Sequence, residues 1–209
     1  MGKSSDPITD AVLGESAYDR LRALRFGVFK QAIHRKLEWQ SYLLLSLAAL
    51  LPIAAAMPHS TRVEYLAGEL AVASPKLAVL GFAGAILLVF TGLGHAGVAV
   101  RRLAREPDLS EFEAEQLLAA ENVCSTLGLG TATLAVVITY AGFALGFGGA
   151  SAVTAYVEVM GADPFAASQL PLSLGTIMVV SLLGAVVLQL LSAFVFVESL
   201  SNRYASVDW

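Results

Sequence analysis

His95 stands in the stretch FTGLGHAGVAVRRLAREPD, residues 90–108, which passes from apolar, glycine-rich sequence through one imidazole to three arginines. An imidazole at such a place can bind a metal, carry a proton or serve only as a hydrogen-bonding group. Other groups of matching chemistry sit where long helices would begin or end: His34 and Glu38 one turn apart, then Glu121, Cys124 and Glu198. Brought to one depth by several helices, such side chains could bind a metal, relay protons or form a charged pore mouth. The weak metal-ligand candidates are therefore His95, Glu38, Glu121 and Glu198. The simpler reading is that helix ends at a membrane surface are polar in any case. His95 lies six residues before Arg101, about 9 Å along a helix axis, which makes it a boundary residue.

Other chemistry is poorly provided for. One cysteine, Cys124, allows no internal disulfide and no CxxC pair. Only His95 among the three histidines lies in an apolar run, so a bis-histidine haem is not expected, nor any other cofactor. Gly128-Leu129-Gly130 lacks a third glycine and a preceding strand, so it does not read as a nucleotide loop. No HExxH, GxSxG or P-loop occurs, and the expectation is a protein that is not an enzyme. A net charge of −4 gives no reason to expect nucleic acid.

The elements that position these groups follow from composition. Charged residues make up 14% of the chain and hydrophobic ones 56%, whereas a soluble domain carries about 25% charged. Four apolar runs hold the excess, roughly 40–57, 77–100, 122–147 and 172–197, and none contains Asp, Glu, Lys or Arg. About 20 such residues cross a hydrocarbon core of ~30 Å as a helix, because backbone in lipid must bond to itself. The expected fold is one all-α domain over 1–209, an integral membrane four-helix bundle. Seven Lys and Arg precede the first run, three lie between the second and third, and Arg203 follows the fourth. Only Arg62 and Lys76 lie on the other side, so the positive-inside rule predicts a cell-membrane protein with both termini cytoplasmic. The first forty residues lack an apolar core, so no signal peptide is expected. Asp6 stands where myristoylation needs Ser or Thr.

Shorter signals fill in the connections. Leu21, Leu24, Val28 and Ala32 recur at helical spacing among basic residues, predicting an amphipathic cytoplasmic helix over 17–38. It either lies in the headgroups or packs on the protein's own cytoplasmic face. Pro107 should end the second helix, and Ser110-Glu111-Phe112-Glu113 has the form of a capping box, so the third helix should start near 111. Asp163-Pro164 predicts a helix start within the 149–171 loop, and the 58–76 loop has room for one short helix. Gly142 with Gly146, Gly81 with Ala85, Gly92 with Ala96, and Ser181 with Ala185 set small residues four apart, where helix backbones can approach closely. Thr131, Thr139, Gln189 and Ser192 could line a hydrated pathway or bond within and between helices. The mid-span amide of Gln189 should face protein.

The stretch ENVCSTLGLGTATL, 121–134, resembles the small-residue, threonine-containing helix of MotA/TolQ/ExbB proton-channel subunits, although the link before it is only about 20 residues. The layout of a basic segment followed by four spans is similar to Orai-type calcium channels, but the first run has no acidic residue. No residue role carries over from either. The expectation is an oligomeric ion-channel or transport-type subunit. The alternatives are a non-catalytic subunit anchoring a larger membrane complex, and a membrane enzyme or metal site at the cytoplasmic edge. The partners expected are the lipid bilayer and either further copies or other membrane subunits.

Overall fold

Backbone hydrogen bonding within apolar segments produces ten consecutive helical pieces in the computed structural model, which describes residues 17–24, 29–66, 69–106 and 108–205. No strand occurs among the described residues. In chain order the helices are α1 (Ala17–Leu24), α2 (Ile33–Ala48), α3 (Leu50–Ala56), α4 (His59–Tyr65), α5 (Lys76–Arg105) and α6 (Glu111–Ser125). A π-helical segment (Thr126–Ala132) leads into α7 (Thr133–Gly146), followed by α8 (Ala150–Met160) and α9 (Leu174–Ala205). Four stretches are long and apolar enough to cross a membrane: Ile33–Ala56, Lys76–Arg105, Glu111–Gly146 and Leu174–Ser201.

These spans exceed the apolar runs because helices do not stop where charge begins. The first takes in Lys36, the third Glu121, and the second runs on through Arg101 and Arg102 to Arg105. Within the first, Pro52 has no N–H for the carbonyl four residues back, and the chain turns at Ala49 between α2 and α3. α5 touches all three other spans, while α9 packs most extensively on α2. The small residues serve contacts inside the chain. A Cβ on Gly81 would meet the Thr139 methyl at 3.1 Å, and one on Gly142 would run into Leu77. One on Gly146 would press on Met57 at 2.8 Å. Gly92 accommodates Leu188 in the same way.

The connections depart from expectation in three places. No single helix covers 17–38: the Arg22 guanidinium donates to the carbonyls of Lys30 (3.0 Å) and Gln31 (2.6 Å), and Ala32 is extended. Both carbonyls are thus bound to a side chain where a continuous helix would use them. Helix resumes only at Ile33, so His34 to Glu38 belong to the first span. Lys3, Asp6, Arg25, Val28 and Pro107 lie outside the described residues. The 149–171 loop contains α8, bracketed by Gly149 and Gly161 at φ 85° and 67°, conformations that glycine adopts without strain. Asp163 starts no α-helix; its carboxylate accepts from the Phe165 N–H at 2.8 Å and closes a turn. The following chain laces onto the 69–75 loop, where Ala166 and Pro164 carbonyls accept from the first N–H groups of α5, and Ala73 and Ala71 from those of α9.

The capping box forms as the sequence predicts. Ser110 Oγ accepts from the Glu113 N–H, and the Glu113 carboxylate accepts from the Ser110 N–H. Ser110→Ala is expected to lower the melting temperature by about 2–4 °C. Thermal unfolding of the purified protein checks this, and a variant melting with the parent removes the cap from the account.

Candidate functional site

Three helices each place two polar side chains four residues apart on the face they turn inward: Lys36 and Gln40 on α2, Thr91 and His95 on α5, Glu121 and Ser125 on α6. All six are buried. Spacing of four keeps each pair on one side of its helix, so the three pairs meet as a continuous cluster, toward the end of the bundle that carries Arg101, Arg102 and Arg105.

Lys36 Nζ lies 2.5 Å from Glu121 Oε1 and donates also to Ser125 Oγ at 2.9 Å. The Lys36 and Glu121 side chains are only 2% and 5% exposed, so water does not screen their attraction. On its other oxygen Glu121 accepts from the phenol of Tyr18, which α1 carries into the bundle. Tyr18 is fully buried, with the Arg102 guanidinium 4.4 Å from its ring centroid. Burial, reinforced by the adjacent Glu121 carboxylate, raises the phenol well above the usual tyrosine range, so it stays protonated and donates. Arg102 also pairs with Asp19 at 2.8 Å and Glu106 at 2.8 Å, fixing α1 against the end of α5.

His95, completely buried, has both ring nitrogens engaged: Nδ1 with Gln40 Oε1 at 3.3 Å and Nε2 with Ser125 Oγ at 3.1 Å. Proton counting assigns the tautomer. The Thr91 hydroxyl donates to the Leu87 carbonyl at 2.7 Å, so its oxygen accepts from Gln40 Nε2 at 2.9 Å. Gln40 therefore presents its oxygen to the imidazole, and Nδ1 must carry hydrogen. Neutral His95 then needs a donor at Nε2. Ser125 has one proton and two acceptors for it, His95 Nε2 and the Glu121 carbonyl at 2.7 Å. Its hydroxyl is a two-position rotor, while Lys36 occupies a lone pair on the same oxygen.

Immediately beyond Ser125 the backbone widens into the π-helical segment. Ser125 and Thr126 both bond back to carbonyls four residues earlier, at 2.7 and 2.9 Å, which competes with the regular helical ladder. Gly128 sits in this wide turn, and a Cβ there would strike Gln40 Nε2 and Thr91 Oγ1. Its lack of a side chain lets the helix close over the cluster.

Sequence reading picked out His95 and Glu121 and missed Lys36, Gln40, Thr91, Ser125 and Tyr18 as members of one site. The repeated four-residue polar spacing was the available signal. Glu38 and Glu198 do not join the network, and the described residues hold no group of three or more His, Cys, Asp or Glu side chains suited to a metal. Thr131 lies on the outer surface. Thr139 is buried and bonds the Ala135 carbonyl at 2.8 Å, and Ser192 reaches the His34 carbonyl at 2.8 Å. Gln189 accepts from Ser41 at 2.9 Å yet is exposed at the protein surface rather than enclosed by the bundle. These four residues form no line of contacts with one another.

The fold and site define an all-helical bundle, four of whose helical stretches are apolar enough to cross a membrane, with a charged and hydrogen-bonded cluster inside it. Comparison with family models, with curated proteins and with solved structures returns no match for this chain.

Proposed function

We propose that the chain is a multi-pass protein of the cell membrane with both termini cytoplasmic, acting as a proton-handling subunit of channel or transport type. Large side chains such as Leu183, Leu190 and Val197 are more than 60% exposed on α9, a surface suited to hydrocarbon and costly in water. Trp39 and Tyr42, exposed near the basic end, suit the headgroup level. At 36 residues the third span is about 54 Å long, so α6 begins outside a ~30 Å core.

One observation carries the functional reading: the buried Lys36–Glu121 pair is wired through Ser125 to His95. Ionisable groups enclosed by membrane helices are expensive and mark proton or ion routes by default. The step available here balances. A proton leaves Lys36 Nζ for Ser125 Oγ while the Ser125 hydroxyl proton passes to His95 Nε2, giving amine and imidazolium. Reversal returns the ammonium to Glu121. A second reading, a subunit anchoring a larger complex, is favoured by a different observation: among the described residues the network beyond His95 passes through Gln40 and Thr91 and stops at the Leu87 and Leu88 carbonyls of the same helix.

Liposomes loaded with a pH-sensitive dye and given a potassium-diffusion potential separate the two. Proton flux well above that of protein-free vesicles is expected, falling at least tenfold in Ser125→Ala, which removes the rotor but little volume. A folded protein that conducts no protons, and that mild detergent extracts only together with other membrane subunits, overturns the proton reading in favour of the anchor.

A further inference from the structure

The middle of Leu174–Ser201 falls beside Gln189, an exposed residue on the outer face of α9. Its carboxamide oxygen accepts from Ser41, and its nitrogen has no hydrogen-bond partner among the described residues. Polar donors left unpaired in hydrocarbon are costly. The residues sharing its stripe alternate in steps of three and four: Leu182, Val186, Gln189, Ala193 and Phe196, all exposed. That is the spacing of a left-handed helix–helix seam, with small Ala193 permitting close approach beside the polar position.

We propose that this stripe is the contact face of a homodimer, in which Gln189 of each copy donates to the carboxamide oxygen of the other. The inference rests on the membrane reading of the four spans and not on proton transfer. Self-complementarity selects a second copy as the occupant. A carboxamide holds both a donor and an acceptor, and its oxygen retains a lone pair beside the Ser41 bond. Two copies inserted with the same topology bring Gln189 to the same depth automatically, and a two-fold axis makes both bonds at once. A stripe offering only Leu, Val and Phe would carry no such preference, because lipid tails are equally apolar.

The test is disulfide trapping of the full chain in lipid bilayers, in a Cys124→Ala background, with single cysteines along α9. Cross-linked dimer is expected at Val186→Cys and Ala193→Cys, and little at Val187→Cys and Leu190→Cys on the neighbouring stripe. Gln189→Leu should weaken dimerisation roughly tenfold in a dilution series in lipid, and Gln189→Asn should recover part of the loss. Cross-linking that follows Val187 and Leu190, a monomer at all lipid dilutions, or a Gln189→Leu dimer as tight as the parent each overturns the proposal. Extraction of the parent chain by alkaline carbonate, tested on the same membranes, would instead show that the membrane reading itself had failed.

Discussion

Lys36→Met is expected to destabilise the protein by about 3–5 kcal/mol, the penalty for leaving a buried carboxylate without its counter-charge. The magnitude follows from position. Glu121 is 4% exposed, and after the substitution only the Tyr18 phenol would remain on its carboxylate. Ser125 would also lose the ammonium that donates to it. The parent ion pair need not itself stabilise the fold, since desolvating two charges offsets most of their attraction. The double variant Lys36→Met with Glu121→Leu should therefore recover most of the loss, and its stability should approach or pass that of the parent. Thermal unfolding of the parent, Lys36→Met, Glu121→Leu and the double variant in one detergent reads this directly. The single variant should melt about 10 °C or more below the parent. A single variant melting within 2 °C of the parent, or a double variant no better than the single, would mean the pair is hydrated and not the closed contact described above. The same cycle bears on function. A stable double variant that has lost proton flux separates a working pair from a structural one.

The long helices were legible because each needs only an unbroken apolar run, a local property of sequence. Two inner ends were legible too, from the Ser110 capping box that starts α6 and from Pro107 just beyond the end of α5; the start of the first span was not, because the basic residues before the apolar run read as part of a separate helix. Lys36 and Glu121 fall outside the apolar runs, yet each offsets much of the cost of burying the other, and two helices continue through them. By the same local logic the 149–171 segment reads as a loop. Gly149 and Gly161 bracket α8 with positive φ, a pattern that reads equally well as loop glycine until the turns are seen. Within the site, His95 was visible as the one histidine in an apolar run. Its partners were hidden because they lie on other helices, between 30 and 55 residues away for Ser125 and Gln40. Gln189 shows the converse: its chemistry was visible, but whether a mid-span amide faces its own bundle depends on the rotation of α9, which no single helix encodes.

Gly128 gives the second large expected effect, and it tests how tightly the bundle closes over the cluster. Gly128→Val should destabilise the protein by about 3 kcal/mol or more, because a branched side chain would meet Gln40 and Thr91 where even a Cβ does not fit. Neither partner yields easily. Gln40 is held between Thr91 and His95, and Thr91 is tied to its own helix at the Leu87 carbonyl. Relief requires either breaking the Gln40–Thr91 bond, which would free the carboxamide to turn and strip His95 Nδ1 of its acceptor, or moving the π-helical segment outward. Either route also disturbs the Ser125–His95 contact next to it. Gly130, two residues on, is the internal control. A Cβ there meets nothing within 4 Å, so Gly130→Ala should be neutral or stabilising by about 0.5–1 kcal/mol, the usual gain of alanine over glycine in a helix. The contrast between two glycines in the same turn excludes a general effect of changing backbone flexibility. Equal losses at both positions would place the sensitivity in the π-helical backbone itself and remove Gly128 from the packing of the cluster.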